Sequence, residues 1–140
     1  MTSTLRLLFS LIFVGVLSTV AHADDGAIPP EKSQGSVTFV SGGIGKDESE
    51  AMKRAASRYS MSIEMASTAS GRAEYVSDVK VDIRDSRGTT VLSTTGEGPF
   101  LLVNLPPGQY TVTAARNGKS QERKVAAGGG AHPRVMFSFP

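Results

Sequence analysis

The chain has no cysteine and no tryptophan, and its 140 residues include two histidines and 6% aromatic residues. Each shortage removes a class of chemistry. Without cysteine there is no disulfide framework, no thiol nucleophile and no thiolate metal site. A zinc site needs several convergent imidazole or thiolate ligands, which His22 and His132 cannot supply. Charge bias is also lacking, since 15 basic residues stand against 13 acidic ones. Nucleic-acid binders carry a strongly basic face, so nucleic acid is excluded as a partner. Nor is there an apolar run long enough to span a bilayer, which takes about 20 residues.

The longest apolar stretch covers residues 7–17, broken only by Ser10. Arg6 precedes it and Ala21-His22-Ala23, a small-x-small cleavage signature, follows. This pattern predicts a secretory signal peptide over residues 1–23. No cysteine follows the site, which argues against a lipoprotein. The mature chain then starts at Asp24, keeps no transmembrane anchor, and is expected in the bacterial periplasm or secreted. Cleavage removes Arg6 and brings the net charge near +1. His132 becomes the only histidine left.

Residues 24–35, with Pro29, Pro30 and Gly26, read as a flexible polar tail. Residues 36–40 alternate as a short strand. The run Ser41-Gly42-Gly43-Ile44-Gly45-Lys46-Asp47-Glu48 invites a phosphate-loop reading, but Val40 and Asp47 stand where a Walker A loop needs Gly and Ser or Thr. A dinucleotide fingerprint starting at Gly43 would need glycine at Glu48. The run is better read as a strand-to-helix turn, with Asp47 capping the helix and Glu50 closing a capping box. Met52, Ala55, Ala56 and Tyr59 recur at helical spacing, predicting a helix over residues 48–59.

From Ser60 the period becomes two. Met61, Ile63 and Met65 alternate with Ser62 and Glu64. Further strands follow at short spacing: Val79, Val81 and Ile83 inward; β-branched residues 89–94; an apolar central strand over 99–105; Tyr110, Val112 and Ala114 inward; and Val135, Phe137 and Phe139 inward. Asn117-Gly118 is a strong hairpin signal, and residues 119–126 read as a polar edge strand. The pattern predicts one antiparallel sandwich. Residues 36–70 form its strand-helix-strand lead and 71–140 its body.

The residues Val79-x-Val81-x-Ile83, Gly88, Gly98-Pro99-Phe100, Leu105-Pro106-Pro107-Gly108-x-Tyr110-x-Val112 and Gly118 look like a carboxypeptidase regulatory-like domain. That is the transthyretin-like, or prealbumin-like, β-sandwich. The resemblance covers residues 75–139. The mature chain is also similar to small exported bacterial proteins that place a GGIGxDE helix segment ahead of such a sandwich. In metallocarboxypeptidases this sandwich follows the catalytic domain and is not itself catalytic. The resemblance implies a mainly β, Greek-key-type sandwich with one N-terminal helix packed on it, and an exported location. It implies no reaction. The hydroxyisourate hydrolases share the fold, but they use several histidines and a C-terminal motif that this chain lacks.

No catalytic, cofactor or metal residues are assigned, and no cofactor is expected. His132 sits between a glycine loop and Pro133 with no nucleophile elbow. Asp78, Asp82 and Asp85 read as a solvated strand face rather than a calcium site. Arg116, Lys119, Arg123, Lys124 and Arg134 make the last hairpin and strand locally basic. They are the candidate surface for an envelope protein or an anionic polysaccharide, weighed against an edge strand charged to prevent aggregation. Tyr75 and Phe100 are the candidate ligand-facing aromatics. The expected function is a non-catalytic binding or structural module of the periplasm. A carbohydrate- or peptidoglycan-binding accessory of an envelope enzyme is the alternative, and a hydrolase of unknown substrate the third.

Overall fold

A computed structural model describes residues 27–140. The expected signal peptide, residues 1–23, lies outside the described residues. The elements run β1 (Lys32–Gln34), β2 (Val37–Gly42), α1 (Lys46–Ala55), a 3-10 turn (Ala56–Arg58), β3 (Met61–Ser67) and β4 (Glu74–Tyr75). They continue with β5 (Lys80–Arg84), β6 (Thr90–Thr95), β7 (Phe100–Asn104), β8 (Gly108–Arg116), β9 (Lys119–Ala127) and β10 (Arg134–Phe139). The fold is mainly β, with two sheets and one short helix.

The larger sheet has the order β1-β2-β7-β3-β10, with β4 pairing β3 beyond the end of β7. The smaller sheet has the order β6-β5-β8-β9. One apolar cluster joins them. Phe39, Ile63, Leu101 and Phe137 come from the larger sheet, and Val81, Ile83, Leu92 and Val112 from the smaller. The arrangement is β-sandwich-like. Each fully buried aliphatic or aromatic side chain contributes roughly 1.5–3 kcal/mol, and with no disulfide this burial is the main source of stability.

The helix lies on the opposite, outer face of the larger sheet. Met52, Ala55 and Tyr59 pack there on Val40, Phe100 and Leu102. The alanines allow a close approach, and all seven residues of β3 are buried as a result. β7, between β2 and β3, is buried on both faces, as its unbroken apolar run predicts.

Four sequence expectations need correction. The tail read over residues 24–35 ends in β1, which pairs with β2 through Gly35 at positive φ. The Gln34 side chain has enough reach to bond a second strand: its amide donates to the Ser93 carbonyl at 3.1 Å and accepts the Ser93 N–H at 2.7 Å. It thus occupies part of the free edge of β6. The helix begins earlier than expected, at Lys46, with Gly45 as its N-cap and no side-chain cap. Asp47 is already in the first turn, and Glu48 instead folds back to accept the Gly43 N–H at 2.7 Å. Finally, the sheets are not antiparallel throughout, because β10 runs parallel to β3. Parallel neighbours need a long crossover, and the chain supplies it by building the smaller sheet between them.

The Asn117-Gly118 hairpin is as expected. Both residues have positive φ, and Arg116 pairs with Lys119 across the two-residue turn.

Candidate functional site

Strand register sets out the outer face of the larger sheet in rows. Val40, Leu102, Ser62 and Arg134 lie side by side in one row. Gly42, Phe100, Glu64 and Met136 form the next. Tyr75, Ala66 and Ser138 form the third. The helix covers the β2 and β7 end of these rows. The β3 and β10 end is left beside it, and there polar groups meet an apolar surround.

Glu64 is 3% exposed. A buried carboxylate needs a partner, and Arg134 provides it: the guanidinium Nη2 donates to both carboxylate oxygens, at 2.7 and 2.6 Å. The bond to Glu64, and then its charge, hold the Arg134 pKa above its ordinary value. Beside them Lys53, exposed on α1, places its ammonium 5.4 Å from the Tyr75 ring centroid and 5.8 Å from that of Phe100. Such cation–π contacts contribute about 0.5–1 kcal/mol at exposed sites. The Tyr75 and Phe100 rings are themselves 5.1 Å apart and tilted by 54°. Lys53, Ala56, Ser62, Glu64, Phe100 and Arg134 enclose a cavity of about 120 Å³.

A separate, wider cleft of about 460 Å³ lies between Tyr75 and the glycine loop. Ile44, Lys46, Ser49 and Val76 line it. The loop's glycines serve packing and backbone geometry. Gly43 has φ +98°, and a Cβ there would come within 2.3 Å of the Phe100 ring. Gly45, at φ +85°, turns the chain into the helix. The large hydrophobic side chains exposed among the described residues are Ile44, Tyr75 and Met136, and all three belong to this side of the molecule.

The candidate residues sort differently from expectation. Tyr75 is 46% exposed. Phe100 is 1% exposed, because its central strand is covered by the helix; it supports the rim of the cavity and is not a ligand platform. The five basic residues do not share one face. Lys124 pairs with Thr111 on the outer side of the smaller sheet. Arg123, the residue before it, points inward at the open side of the sandwich, with its guanidinium 5.4 Å from the Phe137 ring centroid. Arg116 and Lys119 close the hairpin tip. Arg134 is on the other sheet, engaged with Glu64. Alternation along a strand separates charges that adjoin in sequence.

His132 Nδ1–H donates to the Tyr59 carbonyl at 2.7 Å, which fixes the ring by its backbone contact. Asp82 accepts from the Ser93 hydroxyl at 2.5 Å, and Asp85 accepts the N–H groups of Arg87 and Thr89 in a turn. Among the described residues no group of three or more His, Asp or Glu is placed to hold a metal ion. No helix among them is long and apolar enough to cross a membrane.

Tyr110, the tyrosine of the Leu105-Pro106-Pro107-Gly108-x-Tyr110 run, faces the core and donates its hydroxyl to the Pro106 carbonyl at 2.6 Å. Burial, and then the charge of Asp85, raise its pKa. A shallow concavity of about 400 Å³ lies nearby on the smaller sheet, where Arg84 and Lys124 alternate with Asp85 and Glu122.

Sequence reasoning missed the Glu64–Arg134 pair. The signal was present as a lone charge within Met61–Ser67, a strand otherwise free of ionisable groups. No protein-family model and no curated protein matches the chain.

Proposed function

We propose that the chain is a non-catalytic binding module with a transthyretin-like, carboxypeptidase regulatory-like sandwich, exported to the bacterial envelope, and that it meets its ligand on the helix side of the larger sheet. The observation that carries this reading is the gathering of Ile44, Tyr75 and Met136 beside Lys53 and Arg134. Single exposed hydrophobic residues are ordinary, but a group of them rimmed by charge marks a contact surface. The sandwich assignment draws on the Pro106–Tyr110 turn. The export assignment draws on the signal-peptide pattern. A non-catalytic role accords with His132, whose Nδ1 is committed to the Tyr59 carbonyl.

A carbohydrate ligand is the second reading, and Tyr75 favours it. Its half-exposed ring stands beside hydrogen-bonding side chains, the usual make-up of a sugar platform.

Photo-cross-linking residues introduced at Ile44 and Met136, with Thr113 on the far sheet as control, test the reading in whole cells. Adducts at Ile44 and Met136 but not at Thr113 are expected. Equal yields at all three positions, or adducts at Thr113 alone, overturn it. Intact-mass analysis of the recovered protein tests export, which requires an N-terminus at Asp24.

A further inference from the structure

We infer that the cavity between α1 and β10 is an oxyanion pocket that receives the carboxylate of an acidic sugar. The inference rests on the proposal that the helix side is the ligand face.

Size sets the first limit. At about 120 Å³ the cavity has the share of liquid volume taken by roughly four waters. Pockets that hold a whole drug-sized molecule start near 300 Å³. This one therefore takes a group projecting from a ligand, with the rest of the ligand outside.

The walls set the chemistry. Lys53 and Arg134 bring two positive charges, and Glu64 brings one negative charge. The balance of +1 suits a monoanion, and the buried Glu64 carboxylate disfavours a doubly charged phosphate. Donors are also in excess. Arg134 spends one nitrogen, Nη2, on both oxygens of Glu64. A guanidinium has five N–H donors, and among the described residues Nε and Nη1 have no partner. The Arg134 side chain is 62% exposed, so these donors remain reachable. The Lys53 ammonium rests over two aromatic rings and has no carboxylate partner among the described residues. The Ser62 hydroxyl, on a buried residue lining the same space, has none either. Guanidinium N–H groups, an ammonium and a hydroxyl thus surround a space whose one carboxylate already faces the guanidinium. A carboxylate supplies acceptors for these donors, and each free guanidinium nitrogen gives it a single charge-assisted bond, since both two-nitrogen edges of the group include Nη2. Glu64 acts as a positioning residue, because it holds the guanidinium against the strand.

Tyr75 directs the choice of sugar. It lines the wider cleft rather than the cavity itself, and it meets Phe100, a wall of the cavity, with almost half of its own surface open. A sugar ring laid on Tyr75 can turn a carboxylate into the cavity while its apolar face covers the phenol ring.

Calorimetry and amide NMR with methyl β-glucuronide, methyl β-glucoside, acetate and acetyl-Gly-Gly test this on the mature chain. The two glycosides differ at the carboxylate. The glucuronide is expected to bind about tenfold more tightly than the glucoside, and K53Q to remove about tenfold of that affinity. Lys53 is exposed on the helix, so the variant should keep the fold; S62A is a second probe, with a several-fold loss expected. Shifted amides should centre on Ser62, Glu64 and Arg134. Equal affinity for the two glycosides, or K53Q without effect on the glucuronide, overturns the inference. Tighter binding of acetyl-Gly-Gly than of the glucuronide assigns the pocket to peptide carboxylates and also overturns it. If the cross-links at Ile44 and Met136 form but the glucuronide does not bind, the pocket assignment fails and the ligand face stands.

Discussion

The two sheets present opposite kinds of outer surface. The larger sheet is covered by a helix, buries a carboxylate and keeps its open hydrophobic residues together. The smaller sheet exposes Lys80, Arg84, Glu122 and Lys124 among threonines, with positive and negative charges interspersed. Both sheets share the same core, so the core does not account for the difference. It arises from what each strand carries at alternate positions. Val40, Phe100 and Leu102 require cover, and a helix lined with Ala55 and Met52 is narrow enough to give it. Thr111 and Thr113 require none. One face is thus constrained by packing, and the other is free to vary.

The contrast can be broken most severely at Phe100. Phe100→Ala should cost about 3–5 kcal/mol in urea unfolding, the range for a large buried aromatic. A loss below about 1 kcal/mol would mean that the helix is only loosely held. Gly43→Ala comes next, at about 2–4 kcal/mol, because it combines an unfavourable positive φ with a Cβ pressed into the Phe100 ring. Combining it with Phe100→Ala separates the two causes. If contact with the ring dominates, the double variant is little worse than Phe100→Ala alone.

Tyr110→Phe sharpens the view from the smaller sheet. It removes a hydrogen bond to the Pro106 carbonyl and should cost about 1 kcal/mol at neutral pH. Its pH profile is more informative. The folded Tyr110 pKa is raised above 10.0 by burial and by Asp85. The stability that this shift contributes is present below the unfolded pKa and is lost as pH rises through the folded one. Urea midpoints measured from about pH 8 to about pH 11 should therefore fall more steeply for the parent chain than for Tyr110→Phe. Parallel profiles would show that the hydroxyl is effectively solvated. The smallest effect is expected at Lys124→Ala, on the exposed face, at no more than about 0.5 kcal/mol. A larger loss there would show that the two faces are not so different in constraint.

Much of the scaffold was legible in the sequence. The period change at Ser60, the unbroken apolar run of β7, the Asn117-Gly118 turn and the helix stripe each follow from local rules. What was not legible depends on contacts between distant segments. Alternation places Glu64 on the outer side of β3, and it is there; only the helix and β10 make that side buried. The same apolar run that marks β7 as central argues for burial of Phe100, so its reading as an exposed aromatic conflicted with the strand's own pattern. Lys32–Gln34 has too few residues and too much polarity to announce a strand, and its place comes from pairing with β2. Arg134 joins the hairpin charges in sequence but is taken to the other sheet by β10. The candidate pocket unites Lys53, Ser62, Glu64, Phe100 and Arg134 from four elements, so no single stretch of sequence could display it.

The parallel pairing of β10 with β3 also fixes an order in time. The smaller sheet is built from residues 80–127, interrupted by β7 of the larger sheet, and its β5–β6 and β8–β9 hairpins can close soon after they are made. One edge of β3 has to wait until Phe139 has been synthesised. Non-local pairings of this kind form late, and an unpaired apolar strand is prone to aggregate while it waits. Met61–Ser67 contains a single charge, Glu64. In the finished fold that charge holds Arg134. In the unfinished chain it is a gatekeeper, the one residue that makes stacking this strand against a copy of itself unfavourable until its true neighbour arrives.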